Sequence, residues 1–194
     1  MRLTEGVEWA VHCVLLLTAL PEGATLPASR LAEYHDLPAP YLAKSLQALA
    51  GAGIVASAPG RRGGYRLGRP AAEITLLDVV LAVDGDEALF RCTEIRRRGP
   101  TRVAPRASPP MCGIAAAMQR AETAWRAELE ATTIADLAAG VLRDAPRKAL
   151  AKSAAWVQSA LSDKAHPSDP PRREAARPGA LARPTKPFRH GLST

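Results

Sequence analysis

The stretch at residues 5–18, EGVEWAVHCVLLLT, most constrains how this chain can fold. Apolar side chains cover most of its circumference at helical spacing, which predicts one long helix that is buried on most faces. Glu8 and His12 interrupt that pattern four residues apart, so their side chains lie on one face of the helix. Such a pair is most often a solvated strip, but a carboxylate and an imidazole could also serve as two metal ligands. The rest of the chain has to decide between the two interpretations.

The net charge of +7 comes from the C-terminal part of the chain. Residues 146–194 hold 10 Lys+Arg and 3 Asp+Glu, which leaves 16 of each in residues 1–145. A nucleic-acid interpretation must therefore rest on local geometry and not on bulk charge. No run reaches the ~18 apolar residues that a membrane-spanning helix needs, and the N-terminus lacks the pattern of a secretory leader. We expect a cytoplasmic protein without membrane contact.

A helix-turn-helix is predicted between residues 27 and 50. A short helix at residues 27–35 begins with proline, whose missing N–H costs nothing there, and a tight turn follows. The second helix runs over residues 40–50 and places its leucines, Leu42, Leu46 and Leu49, inward. Its outer face should reach the phosphates and base edges of duplex DNA. The residues expected to do so are Pro40, Tyr41, Lys44, Ser45 and Gln47.

A basic β-hairpin follows, with strands at residues 54–58 and 65–67. Its tip carries Arg61 and Arg62 among glycines, and adjacent arginines favour phosphates or a narrow minor groove. A helix-turn-helix followed directly by such a hairpin is a winged helix. The predicted fold is mainly α with a small β-wing, and DNA binding is favoured over a solvated loop on an α+β domain.

A long helix is predicted from residue 111 to about residue 131. Apolar residues spaced three to four apart form a stripe that so small a domain can hardly cover, which predicts a dimer interface. The stripe consists of Ile114, Met118, Ala121, Trp125 and Leu129. Residues 147–161 can form a further helix with Trp156. From His166 on, the Pro-, Arg- and Ala-rich composition predicts disorder.

These elements divide the chain into four parts. A winged-helix DNA-binding domain takes residues 1–85, and a loop takes residues 86–110. A dimerisation helix region takes residues 111–145, and a basic extension takes residues 146–194.

The chain has three cysteines, Cys13, Cys92 and Cys112. The odd number argues against a disulfide framework. Cys13 lies within the apolar helix and is expected to fill core space as a small hydrophobic residue. Cys92 and Cys112 flank a loop rich in arginine and proline, where packing explains them less well.

Several motifs of the chain resemble those of the IscR/NsrR/RsrR family of dimeric winged-helix transcription regulators, many of which carry an iron–sulfur cluster. They are the helix-turn-helix ending in Tyr41 and Leu42, the wing sequence RGGYRL at residues 62–67 and the helix ITLLDVV at residues 74–80. The resemblance covers roughly residues 1–140. Typical members use three loop cysteines, whereas this chain matches only the first and the last. A three-cysteine cluster is therefore excluded.

Within that family the chain is similar to the redox-sensing RsrR branch. The similar stretches are GVEWAVHC at residues 6–13, RCTEIR at residues 91–96 and ATTIADL at residues 131–137. That branch binds a [2Fe–2S] cluster through two cysteines, one glutamate and one histidine, of which the glutamate and the histidine come from the partner subunit. The resemblance implies the ligands Glu8, His12, Cys92 and Cys112. It makes residues 86–110 the cluster-binding loop and places the first helix at the cluster as well. Trp9 would shield the cluster or simply pack in the core.

The resemblance thus implies a homodimeric repressor, not an enzyme, whose affinity for a double-stranded DNA operator is switched by the oxidation state of the [2Fe–2S] cluster. One alternative is the same fold without a cluster, sensing nitric oxide or a small ligand. Another is a structural zinc held by the same four residues. A third is a thiol-dependent enzyme with Cys92 or Cys112 as nucleophile and His12 as base, for which the sequence offers no oxyanion loop or phosphate cradle.

Overall fold

The computed structural model describes residues 3–60, 63–98, 100 and 112–165. Within these ranges the chain forms seven α-helices and one two-stranded antiparallel sheet. The helices are α1 (Glu5–Leu17), α2 (Ala28–His35), α3 (Ala39–Gly51), α4 (Leu76–Asp84), α5 (Gly113–Ala131), α6 (Ile134–Asp144) and α7 (Arg147–Ala165), and the strands are β1 (Val55–Ala58) and β2 (Gly64–Leu67).

Helix α1 lies at the centre of the core. It packs against α3 and α4, and the prediction that this stretch is buried on most faces is confirmed. The leucines at residues 42, 46 and 49 of α3 are fully buried beside it, as predicted. Each such leucine contributes about 1.5–3 kcal/mol by leaving water. The buried residues of α1 are Val7, Ala10, Cys13, Val14, Leu16 and Leu17.

The wing is a short antiparallel hairpin. Val55 pairs with Leu67 at one end of β1 and β2, and Ala58 pairs with Gly64 at the other. Tyr65 also exchanges two backbone hydrogen bonds with Leu26, at 2.9 and 2.7 Å, which ties the hairpin to the chain before α2. Gly64 has φ 150°, and a Cβ there would lie 2.5 Å from the Leu26 carbonyl carbon. The chain's own packing therefore requires glycine here.

Helices α4 and α6 begin side by side. Each starts with a capping box, formed by Thr75 with Asp78 and by Thr133 with Asp136. The two threonines form an antiparallel bridge, so the two helix starts are hydrogen-bonded to each other. Through this pairing, the chain that leaves α5 returns to the core, where Ile134 at the start of α6 is fully buried.

Helix α7 packs on α2 and joins the core. Val157 and Ala160 are buried among the core residues. Tyr34 of α2 hydrogen-bonds Ser153 at 2.6 Å between the two side-chain oxygens, and its ring meets that of Trp156 at a centroid distance of 4.8 Å. The helix predicted at residues 147–161 is thus confirmed and extends to residue 165, while the disorder predicted from His166 on lies outside the described residues. No helix in the described part of the chain is long and apolar enough to cross a membrane.

Candidate metal centre and nucleic-acid interface

Cys92 lies half-buried in an irregular segment between α4 and the short 3-10 turn Ile95–Arg97. Its sulfur is 3.8 Å from Oε1 of Glu94. The other carboxylate oxygen of Glu94 accepts from Nε of Arg96 at 3.0 Å and pairs with Nε of Arg97 at 3.2 Å. The hydrogen bond from Arg96 is the main reason that the pKa of Glu94 is lowered. Two guanidinium groups therefore hold a carboxylate beside this thiol.

Cys112 occupies the N-cap position of α5. Its pKa is lowered, chiefly by the amide N–H groups of Ala115 and Ile114, although neither meets the geometry of a cap hydrogen bond. Arg96 lowers it further by charge attraction. Helix N-termini and nearby cations favour the thiolate, which is the form that binds metals.

Arg96 is the group that the two cysteines share. Its pKa is raised first by Glu94, and attraction to Cys112 and Cys92 also contributes. Arg96 therefore lies near both thiols, although twenty residues separate them in the sequence. The structure places the two predicted cysteine ligands around a common charge.

Glu8 and His12 lie exposed on the outer face of α1. The ring of His12 is 5.6 Å from that of His35 in α2, measured between centroids. Trp9 is half-buried against the core, which accounts for it by packing alone. In the described ranges of the chain, no three His, Cys, Asp or Glu side chains group so that they could hold a metal ion. Within one chain, therefore, the Glu8–His12 pair does not join the cysteine pair.

The outer face of α3 carries most of the predicted DNA-contacting residues. Tyr41 is 69% exposed, and Pro40, Lys44 and Gln47 are exposed beside it. The prediction that Ser45 faces outward is wrong, because its side chain is buried toward α1. In a helix whose buried leucines lie at residues 42, 46 and 49, position 45 falls on the inner face. Arg61 and Arg62 lie outside the described residues.

The sequence did not lead us to the charged residues that hold residues 85–94, the irregular segment that contains Cys92 and is called the cysteine segment here. Glu94 and Arg96 stand within two and four residues of Cys92, and their alternation with it was the available signal. Glu122 and Arg126 were also missed, although their i,i+4 spacing on a helix predicts an ion pair. Their link to the cysteine segment through Leu89 and Asp86 had no sequence signal, because it joins distant parts of the chain.

Residues 3–140 match the family model of Rrf2, described as an iron-dependent transcriptional regulator. Protein aau3 of Rhizobium meliloti (strain 1021) is 36% identical over 138 residues, 71% of this chain and 84% of that protein. Rv1287 of Mycobacterium tuberculosis (strain ATCC 25618 / H37Rv), named as a candidate helix-turn-helix transcriptional regulator, is 30% identical over 73% of this chain and 84% of its own length. YwgB of Bacillus subtilis (strain 168), named in the same way, is 37% identical over 91 residues, 47% of this chain, and the match spans only 58% of its length.

Solved structures share the fold. CymR, the global cysteine regulator of B. subtilis, superposes with a TM-score of 0.57 at 22% identity over 72% of this chain and 97% of that one. T. potens IscR gives a TM-score of 0.55 at 20% identity, covering 76% of this chain and 90% of that one. Identities this low establish the common fold alone. With the helix-turn-helix and the hairpin described above, that fold is a winged helix, as the sequence predicted.

Proposed function

We propose a redox-sensing role for this chain, which belongs to the Rrf2 family of transcriptional regulators. In this proposal a homodimer represses transcription by binding a double-stranded DNA operator through α3 and the wing. A [2Fe–2S] cluster held by Glu8, His12, Cys92 and Cys112, as in the RsrR branch, sets its affinity for DNA. The observation that carries the proposal is the Cys92 thiol, 3.8 Å from a Glu94 carboxylate that is held by Arg96, the cation that also attracts Cys112 at the start of α5.

The donor set fits such a cluster. Cys112 is biased toward the thiolate by a helix N-terminus and by Arg96, and Cys92 lies beside the same guanidinium. Glu8 and His12 are exposed on one face of α1, so a partner subunit can reach both at once. Two thiolates, one carboxylate and one imidazole complete the four positions, and when bound the cluster supplies one-electron chemistry at a potential that imidazole ligation raises.

Two observations support a ligand set that is shared between the two subunits. The four residues do not group within the described part of one chain. Helix α5 has 19 residues and buries none of them, and Ile114 and Met118 at its start are 68% and 42% exposed. A second copy packed on this face would cover the apolar stripe next to Cys112. In the proposed dimer, the partner's α1 lies beside the cysteines.

Helix α1 offers a route from the ligand face to the DNA-binding helix. Its Gly6 packs so closely on α3 that a Cβ there would lie 3.3 Å from Oγ of Ser45. Because close-packed interiors transmit displacement, a shift of α1 would carry α3 with it. The two α3 helices of a dimer must match half-sites about one helical turn or its multiples apart, so a change in their spacing alters DNA affinity.

The direct test is an absorption spectrum, with iron, sulfide and zinc contents, of the protein purified without oxygen. The proposal predicts visible absorption and about two iron and two sulfide per chain. If the protein contained zinc but no sulfide, the site would hold a structural zinc and not a cluster. A colourless, metal-free protein that still binds its operator would point to a regulator of the same fold with another signal.

The ligand assignment is tested on α1 itself. His12→Ala and Glu8→Ala should both lose the cluster and the redox-dependent change in operator affinity. Glu5→Ala removes an exposed carboxylate one turn earlier on the same helix and should keep both. A His12→Ala dimer that retained the cluster and switched DNA affinity with redox state would remove His12 from the ligand set.

A further inference from the structure

Cys92 lies in a stretch that regular secondary structure does not fix. Residues 85–94 form neither helix nor strand, between the end of α4 and the turn at Ile95. A ligand needs a defined position, because metal sites tolerate only small errors in donor geometry. Other contacts must therefore place this thiol relative to Cys112, the first residue before α5.

Glu122 of α5 provides such a contact. One oxygen of its carboxylate accepts from the backbone N–H of Leu89 at 3.1 Å, three residues before Cys92. The other oxygen accepts from Nε and Nη2 of Arg126 at 3.1 and 3.0 Å. Nη1 of the same guanidinium reaches Oδ1 of Asp86 at 2.5 Å. The side chains of Glu122 and Arg126 are 15% and 25% exposed, whereas that of Asp86 is 73% exposed, so the Glu122–Arg126 pair is the better shielded part of this arrangement.

The segment runs along α5 toward its N-terminus. Leu89 is held at Glu122, whereas Arg96, seven residues later, acts on Cys112 at the helix start. An open cleft of about 370 Å³ lies between the segment and the helix, lined by Phe90 and Cys92 on one side and by Ala115, Gln119 and Glu122 on the other. The ten residues from Cys112 to Glu122 rise about 15 Å, and three extended residues from Leu89 cover about 10 Å. If Leu89 moved along α5 away from Glu122, the distance between Cys92 and Cys112 would therefore change with it.

We propose that Glu122 is the positioning residue that sets the register of Cys92 against Cys112, with Arg126 and Asp86 holding its carboxylate in place. This inference rests on the proposed function only in taking Cys92 as a ligand. The position of the thiol is a property of the chain with or without metal. Glu122 touches neither thiol and acts through the backbone at Leu89.

The test compares Glu122→Ala, Glu122→Gln and a matched control, Glu130→Ala, which removes an exposed carboxylate from the same helix. Alkylation of Cys92 in the metal-free full-length chain is followed by mass spectrometry, with Cys112 in the same sample as internal reference. Glu122→Ala should raise the rate at Cys92 relative to Cys112 about tenfold, the factor for one charge-assisted hydrogen bond. Glu122→Gln keeps an acceptor for Leu89 and should lie between Ala and wild type, and Glu130→Ala should match wild type.

Cluster-loaded protein gives the second measurement. Glu122→Ala should change the visible circular dichroism of the cluster and its midpoint potential, and Glu122→Gln should restore much of the wild-type signal. An unchanged Cys92 rate in Glu122→Ala would overturn the inference, and so would an equal rise at Cys92 and Cys112, since that reports general loosening. If wild type holds no cluster but the alkylation order is as stated, the positioning role stands and the proposed function fails.

Discussion

Helices α3 and α5 differ in what covers them. Helix α3 has 13 residues and buries four of them against α1 and its neighbours. Helix α5 has 19 residues and buries none, with apolar side chains exposed along it. The helix-turn-helix is therefore packed within the described part of one chain, whereas α5 leaves an apolar stripe exposed there. In the proposed function, a second copy covers that stripe and completes the sensing site.

The largest expected contrast is between the thiols of the two regions. Burial raises the pKa of Cys13, in the core, to about 12, whereas the pKa of Cys112 is lowered from its usual 9.0. Since the thiolate is the reacting form, Cys112 should alkylate at least about a thousandfold faster at pH 8. The alkylation rate of Cys112 should level off once the pH exceeds the pKa of this thiol, which lies below 9. Cys13 should stay unreactive until far higher pH. Equal rates in native metal-free protein, measured by mass spectrometry, would contradict the contrast.

Truncation of a core leucine should cost most in stability. Leu46 is fully buried in α3, so Leu46→Ala should lower the free energy of unfolding by about 2–5 kcal/mol. Leu142, 69% exposed at the end of α6, offers the matched control, and Leu142→Ala should change it by less than about 0.5 kcal/mol. Urea unfolding followed by circular dichroism measures both, and similar losses in the two variants would show that the core is assigned wrongly.

A charge on the exposed stripe of α5 should act on assembly and leave folding intact. Ile114→Asp would bury an unpaired carboxylate in the proposed dimer interface and should weaken dimerisation by several kcal/mol, roughly a hundredfold or more. Glu130→Gln on the same helix serves as control. Sedimentation across a concentration series measures the association, and an Ile114→Asp protein as dimeric as wild type would place the interface elsewhere.

The smallest expected effect tests whether α7 docks on α2 and so belongs to the core of the molecule. Tyr34→Phe removes the hydroxyl that meets Ser153 and should cost about 1 kcal/mol. Ser153→Ala should cost a similar amount, and the double variant should cost little more than either alone, because both remove the same hydrogen bond. Fully additive losses in thermal or urea unfolding would mean that α7 does not dock on α2 as described.

Periodic patterns predicted the fold well. The apolar run at residues 5–18 and the leucines of α3 are local signals, and each is confirmed. The docking of α7 on α2 was missed because it depends on pairs such as Tyr34 with Ser153, which lie 119 residues apart. Ser45 was misplaced because its polarity was weighed above the helical phase that the neighbouring leucines define.

The candidate site was predictable only through the resemblance. The spacing of Glu8 and His12 fits a solvated pair as well as two ligands, and no local pattern connects them to Cys92. The groups that hold the cysteine segment, Glu122 and Arg126, act through Leu89 and Asp86 from a helix more than thirty residues away. Such contacts are set by tertiary packing, which periodicity along one element does not encode.

The central claim, that a second copy completes the sensing site, is tested most directly by a mixed dimer. One chain carries Cys92→Ala with Cys112→Ala, the other carries Glu8→Ala with His12→Ala, and different affinity tags isolate the heterodimer. If the ligand set crosses between subunits, one of the two sites keeps all four ligands, so the heterodimer should hold about half the wild-type iron and sulfide. Each parent homodimer should hold none. A heterodimer as empty as its parents would contradict the account.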